Sequence, residues 1–135
     1  MPKYVTNDGG RSAAGFKGNA RDCVLRSICI ALKLDYKTTY KRLTDRWDKT
    51  PRNGCNRTVY WPFLERKGWA FHATINCHTD NMEDHIPRGR VILSMPRHYV
   101  ACINHVIHDA WDSRTKAGNG RKALKILGYW IKRKK

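Results

Sequence analysis

The chain has 135 residues, with 27 Lys and Arg against 11 Asp and Glu, a formal net charge of +16 with its six His neutral. That length fits a single domain over 1–135, and a hydrophobic share of 41% with five Trp, six Tyr and three Phe excludes wholesale disorder. No apolar run approaches the roughly 18–20 residues of a membrane span, and Met1-Pro2-Lys3-Tyr4 lacks the apolar stretch of a signal peptide, so a soluble cytoplasmic protein is expected.

Residues 1–18 are rich in Gly, Asn, Asp and Ser and read as an irregular lead-in closed by Gly18-Asn19. Asp22 stands where a helix cap belongs, and Leu25, Ile28, Cys29 and Leu32 then recur at i, i+3, i+4 and i+7. Val24, Ile30, Ala31 and Leu34 extend the apolar surface almost all round, leaving mainly Arg26 and Lys33 for solvent. Such a helix belongs in the middle of a domain. Tyr36, Tyr40, Leu43 and Trp47 predict a second helix over 36–47, with Lys37, Lys41, Arg42 and Arg46 outward. Residues 48–57, with Pro51, Asn53, Gly54 and Asn56, form a loop. A short helix over 58–67 is stopped by Gly68, while Pro62 resists an early start.

From Gly68 the pattern changes to strands. Residues 69–75 alternate, 76–89 are polar loop, and 90–95 and 98–103 are short apolar runs split by Pro96-Arg97. Asn104-His105 is a two-residue hairpin turn and 106–111 the return strand. A Gly/Asn/Ser loop over 112–121, a last strand over 123–131 and the basic tail 132–135 complete the chain. Helices first and an antiparallel sheet after them make the class α+β.

Three residues line up for chemistry. Cys23 lies at the start of the buried helix, where unpaired N–H groups and the helix dipole favour a thiolate. His98 opens a strand, and Asp109 lies on its hairpin partner. With Asn104-His105 as the turn, Val100 faces Asp109 and His98 faces Trp111, which makes His98 and Asp109 diagonal neighbours on one face. Nucleophile, base and an acid that orients the base are the parts of a thiol acyl-transfer site. Taken singly, Cys23 has a bland explanation as a small buried helix residue, and Asp109 and Asp112 as acids flanking a loop.

Asp22-Cys23 opening a helix, His98-Tyr99-Val100-Ala101 opening a strand and Asp109-Ala110-Trp111 closing the hairpin resemble papain-fold cysteine peptidases. Those carry Cys on a helix, His on a strand, then Asn-Ser-Trp. Asp in place of that Asn, and the Asp-Cys pair, are more similar to the bacteriocin leader-peptidase branch, and the compact layout resembles small phage and prophage proteins. The resemblance implies a papain-like fold in which the helices pack on a C-terminal antiparallel sheet. It also implies Cys23 as nucleophile, His98 as general base and acid, and Asp109 as orienting residue, with Asp22 and Trp111 in support. The family's oxyanion Gln, about six residues before its Cys, is replaced here by Lys17; Asn19 is the nearest amide that can donate, beside the Cys23 N–H. The activity implied is that of a cysteine peptidase, isopeptidase or amidase with no cofactor, acting on a protein or peptide. Its setting would be a cytoplasm, the host's if the chain is phage-encoded.

Other signals compete. Cys102-x-x-His105-x-x-His108 and Cys77-His78 carry metal-ligand residue types, but there is no Cys-x-x-Cys knuckle, and on the hairpin Cys102 and His108 point to opposite faces. No metal is expected. The five Cys (Cys23, Cys29, Cys55, Cys77 and Cys102) are odd in number and irregularly spaced, and read as reduced thiols. The charge calls for an acidic partner, either nucleic acid or an acidic protein. Basic residues interleave with aromatics at Tyr36-Lys37, Tyr40-Lys41-Arg42, Arg46-Trp47, Arg57, Tyr60-Trp61, Arg66-Lys67 and Tyr129-Trp130, which makes a nucleic-acid-binding module on a catalytically silent scaffold the alternative function. No motif with groove or base-reading geometry accompanies them.

Overall fold

A computed structural model describes residues 4–16, 22–44, 50–109, 115–116, 120–121 and 123–133. The apolar stripe of the first predicted helix forms α1 (Cys23–Leu32), in which every residue from Val24 to Ala31 is buried. Lys33 ends it in the left-handed conformation at φ 57°. Arg90 then closes the last turn, its guanidinium donating to the carbonyls of Ala31 at 3.0 Å and Ile30 at 2.7 Å. Helix α2 (Tyr36–Arg42) starts where the Asp35 carboxylate accepts the Thr38 N–H, and stops earlier than the predicted 36–47. Trp47 lies outside the described residues. Helix α3 (Arg57–Arg66) is capped by Asn56, contains Pro62, and is followed by Gly68 at φ 83°. The proline sits past the first turn and so removes an internal hydrogen bond.

Six strands form one sheet. They are β1 (Tyr4–Thr6), β2 (Trp69–His78), β3 (Arg90–Met95), β4 (His98–Ile103), β5 (Val106–Asp109) and β8 (Lys125–Lys132), in the order β1-β5-β4-β3-β8-β2. A separate two-residue ladder pairs β6 (Thr115–Lys116) with β7 (Gly120–Arg121), inside the stretch read as loop. The class is α+β, with three corrections to the sequence reading. The lead-in holds a strand: β1 runs parallel to β5, so the sheet is mixed rather than antiparallel. Three residues are too short to show an alternation, and only the open edge of β5 gives them a partner. Strand β2 continues to His78, past the predicted end at 75, across a register shift between Ala73 and Cys77 that interrupts the alternation and hides the strand's end in the sequence.

The β4–β5 hairpin turns on Asn104 at φ 50° and His105 at φ 65°, the mirror-image turn that matches strand twist. Its register pairs Ala101 with His108, Cys102 with Ile107 and Ile103 with Val106, as a two-residue turn requires. Both faces of the sheet are covered. Ile92, Ala101 and Trp130 pack under the helices, whereas Val91, Leu93, Val100, Cys102 and Ile107 pack with Met82 and Ile86 from the segment after β2. Among the described residues no helix is long and apolar enough to cross a membrane.

Candidate active site

His98 is the first residue of β4 and Asp109 the last of β5, so both stand at the end of the hairpin away from its turn. There they meet: His98 Nε2 lies 2.6 Å from Asp109 Oδ2. Strand β1 holds the Asp109 backbone in place, pairing Thr6 with it and donating the Asn7 N–H to its carbonyl at 2.7 Å. The N-terminus of α1 arrives at the same spot. The Cys23 thiol lies beside the His98 ring and the Tyr99 backbone, close enough for both to lower its pKa. With Nε2 taken by Asp109, Nδ1 is the nitrogen left for sulfur.

This geometry sets the protonation of the pair. Burial alone would push the Cys23 thiol up, but the His98 and Tyr99 hydrogen bonds and the nearby charges of His98 and Arg26 bring it below the ordinary thiol value. Burial also works against a charged imidazole, yet the hydrogen bonds and charges of Asp109 and Cys23 raise His98 to about 9. Both shifts run in the direction of a thiolate beside an imidazolium. The remaining core thiols go the other way: burial pushes Cys29 up to about 11, Cys102 up to about 12, and Cys77 upward as well.

Arg26, read from sequence as a solvent-facing residue, is buried at 8% exposure. One turn along α1 from the nucleophile, its guanidinium donates to Asp22 Oδ1 and, at 3.4 Å, to Asp109 Oδ1. Asp22 opens the helix but does not cap it with its side chain. Its other oxygen accepts the Tyr36 hydroxyl at 2.6 Å, and Arg11 in turn donates to that hydroxyl at 2.7 Å. A buried polar chain thus runs from Arg11 through Tyr36, Asp22, Arg26 and Asp109 and ends at the half-buried His98 and Cys23. The loop after β1 carries Arg11 and is pressed against α1 at Gly9, where φ is 71° and a Cβ would sit 3.2 Å from the Arg26 backbone.

No family model, curated protein or solved structure matches the chain.

Cys23, His98 and Asp109 are brought together, and Asp22 joins them through Arg26. Asn19, Trp111 and Asp112 lie outside the described residues. Sequence reasoning missed Arg26, Arg11 and Tyr36. The available signal was the Asp22–Arg26 spacing of four on an otherwise apolar helix. The metal-like residues disperse. Cys102 is buried on the sheet face away from the helices, His105 Nε2 donates to the Ile86 carbonyl at 2.7 Å, and His108 Nδ1 lies 3.4 Å from Asn7 Nδ2. Of the interleaved aromatics, Tyr36, Tyr60 and Trp130 are core residues, while Trp61 has the Arg57 guanidinium 4.1 Å above its ring.

All five cysteines are free thiols, so their reactivities are directly comparable. Iodoacetamide at neutral pH is expected to modify Cys23 well before Cys29, Cys77 or Cys102, read by peptide mass spectrometry. Labelling of those three with Cys23 inert would remove the thiolate from the site.

Proposed function

We propose that this protein is a papain-like thiol hydrolase that cleaves a peptide, isopeptide or side-chain amide bond through a thioester on Cys23. One observation carries the reading: a thiol at a helix N-terminus lies beside an imidazole whose far nitrogen is 2.6 Å from a buried carboxylate. The free state of all five thiols accords with action in a reducing cytoplasm.

In the first half-reaction the Cys23 thiolate donates an electron pair to the substrate carbonyl carbon, and the carbonyl π pair moves onto oxygen. The first N–H groups of α1 face that oxyanion, the Cys23 N–H foremost. They are left to it because the Asp22 carboxylate is turned away onto Arg26 and Tyr36. Collapse breaks the C–N bond, and the departing nitrogen takes the proton of His98 Nδ1. His98, now neutral, accepts a proton from water as the water oxygen attacks the thioester. The second collapse breaks the C–S bond and restores thiolate beside imidazolium. Asp109 holds the ring through Nε2 throughout.

The pH dependence follows with a definite sign. Amine release needs protonated His98, so hydrolysis is expected to fall as pH rises through about 9. Alkylation of Cys23 needs only the thiolate and is not expected to fall there. Stability follows the same linkage: His98 is raised on folding, so its contribution is complete below its ordinary value of 6.5 and is lost as pH climbs through about 9. Steady-state hydrolysis of a fluorogenic amide, set beside alkylation rates on one pH axis, checks this. A rate that keeps rising above that value with the alkylation rate would mean that His98 is not the proton donor.

A further inference from the structure

The opposite end of α1 takes no part in the thiol chemistry, yet it opens on a groove of about 480 Å³ lined by Lys33, Lys67, Arg88, Arg90 and Lys132 and, among the described residues, by no acid. The groove continues past Lys33 and Lys67 to Arg42 and then Arg66, in adjoining depressions of about 260 and 360 Å³. The one acid along this path among the described residues, Asp35, is committed to capping α2. Arg90 is also committed, to the carbonyls that end α1. The other six cations are exposed, and none is in an ion pair among the described residues. Such like charges repel one another until an anionic ligand meets them.

The surface between the cations decides what kind of anion fits. It is aliphatic, with Leu32, Leu34 and Ile131 half-buried along the groove. Its aromatic members, Phe63 and Trp69, are 4% and 5% exposed and present no ring face for a base to stack on. A phosphate backbone would satisfy the cations and leave the aliphatic strip without a partner. A polypeptide with acidic residues interrupted by apolar ones satisfies both. We propose that this groove is a docking site for an acidic polypeptide segment bearing aliphatic side chains. The ten residues of α1 separate it from Cys23 by about 15 Å, at 1.5 Å of rise per residue. Docking there is independent of hydrolysis and goes beyond it.

The test uses the full chain with Cys23→Ala, so that binding is measured without turnover. Fluorescence anisotropy compares a labelled peptide of Glu interspersed with Leu, an oligo-Glu peptide of equal charge, and a DNA duplex of equal charge. The Glu/Leu peptide is expected to bind tightest. Lys33→Glu/Lys67→Glu/Arg88→Glu is expected to weaken it about 30-fold or more, and the neutral Gln triple at the same positions by a smaller factor. Lys37→Glu/Lys41→Glu/Lys125→Glu, with the same charge change elsewhere, is expected to have a far smaller effect. Equal loss in the groove and control triples would overturn the site in favour of bulk charge. Duplex binding as tight as the peptide's would make the groove a nucleic-acid track, and equal affinity for oligo-Glu would remove the aliphatic strip from recognition; either result overturns the proposal.

Discussion

Asp109→Ala is expected to lower hydrolysis by about 10²–10⁴-fold while leaving the far-ultraviolet circular dichroism unchanged. The main-chain role of the position survives the substitution, because pairing with Thr6 and the bond from Asn7 use only its backbone. What disappears is the acceptor 2.6 Å from His98 Nε2 and the charge that keeps the ring protonated. Burial, which lowers His98, then goes unopposed by Asp109. The descending limb of the pH profile is therefore expected to move below about 9, a shift that a merely structural residue would not produce. Asp109→Asn keeps an acceptor but not the charge, so it should recover part of the rate with the limb still displaced. Asp112→Ala is expected to have a far smaller effect than Asp109→Ala. The reverse ranking would transfer the orienting role to Asp112.

The hairpin that carries this pair was legible because its signals are local. Asn104-His105 supplies the two residues that tolerate positive φ, and counting outward from them fixes which residues face one another. Helix α1 was legible for a similar reason, since ten consecutive residues obey one period. Its N-terminal Cys and the hairpin's His and Asp could then be joined by element order alone. What could not be read depends on residues far apart in the chain. Strand β1 has three residues and exists because β5 has an open edge more than 100 positions later. The end of β2 is hidden by its bulge. Arg26 was misjudged for the same reason: a charge on an apolar helix reads as a solvent face unless its acceptors are known. One of these, Asp109, comes from the other side of the sequence.

Arg26→Met is expected to cost about 3–5 kcal/mol of stability, far more than its one charge would cost at the surface. Both carboxylates that the guanidinium joins are buried, Asp22 at 1% and Asp109 at 3% exposure. Asp22 retains the Tyr36 hydroxyl and the Arg11 charge 3.7 Å away, and Asp109 retains His98. Two buried anions nevertheless lose the cation they share, and methionine fills the space without replacing it. Arg26→Lys is expected to recover only part of the loss, since a single ammonium lacks the fork that reaches two carboxylates at once. Adding Asp22→Asn to Arg26→Met removes one of the stranded charges, so the double variant should be less destabilised than the sum of the two singles, by about 0.5–3 kcal/mol in urea unfolding. The thiol should respond too. Arg26 is one of the charges that lower Cys23, so in Arg26→Met the pH at which iodoacetamide begins to label Cys23 is expected to rise. A variant within about 0.5 kcal/mol of wild type, with unchanged labelling onset, would mean that the guanidinium is hydrated in solution and that nucleophile and orienting acid are positioned without it.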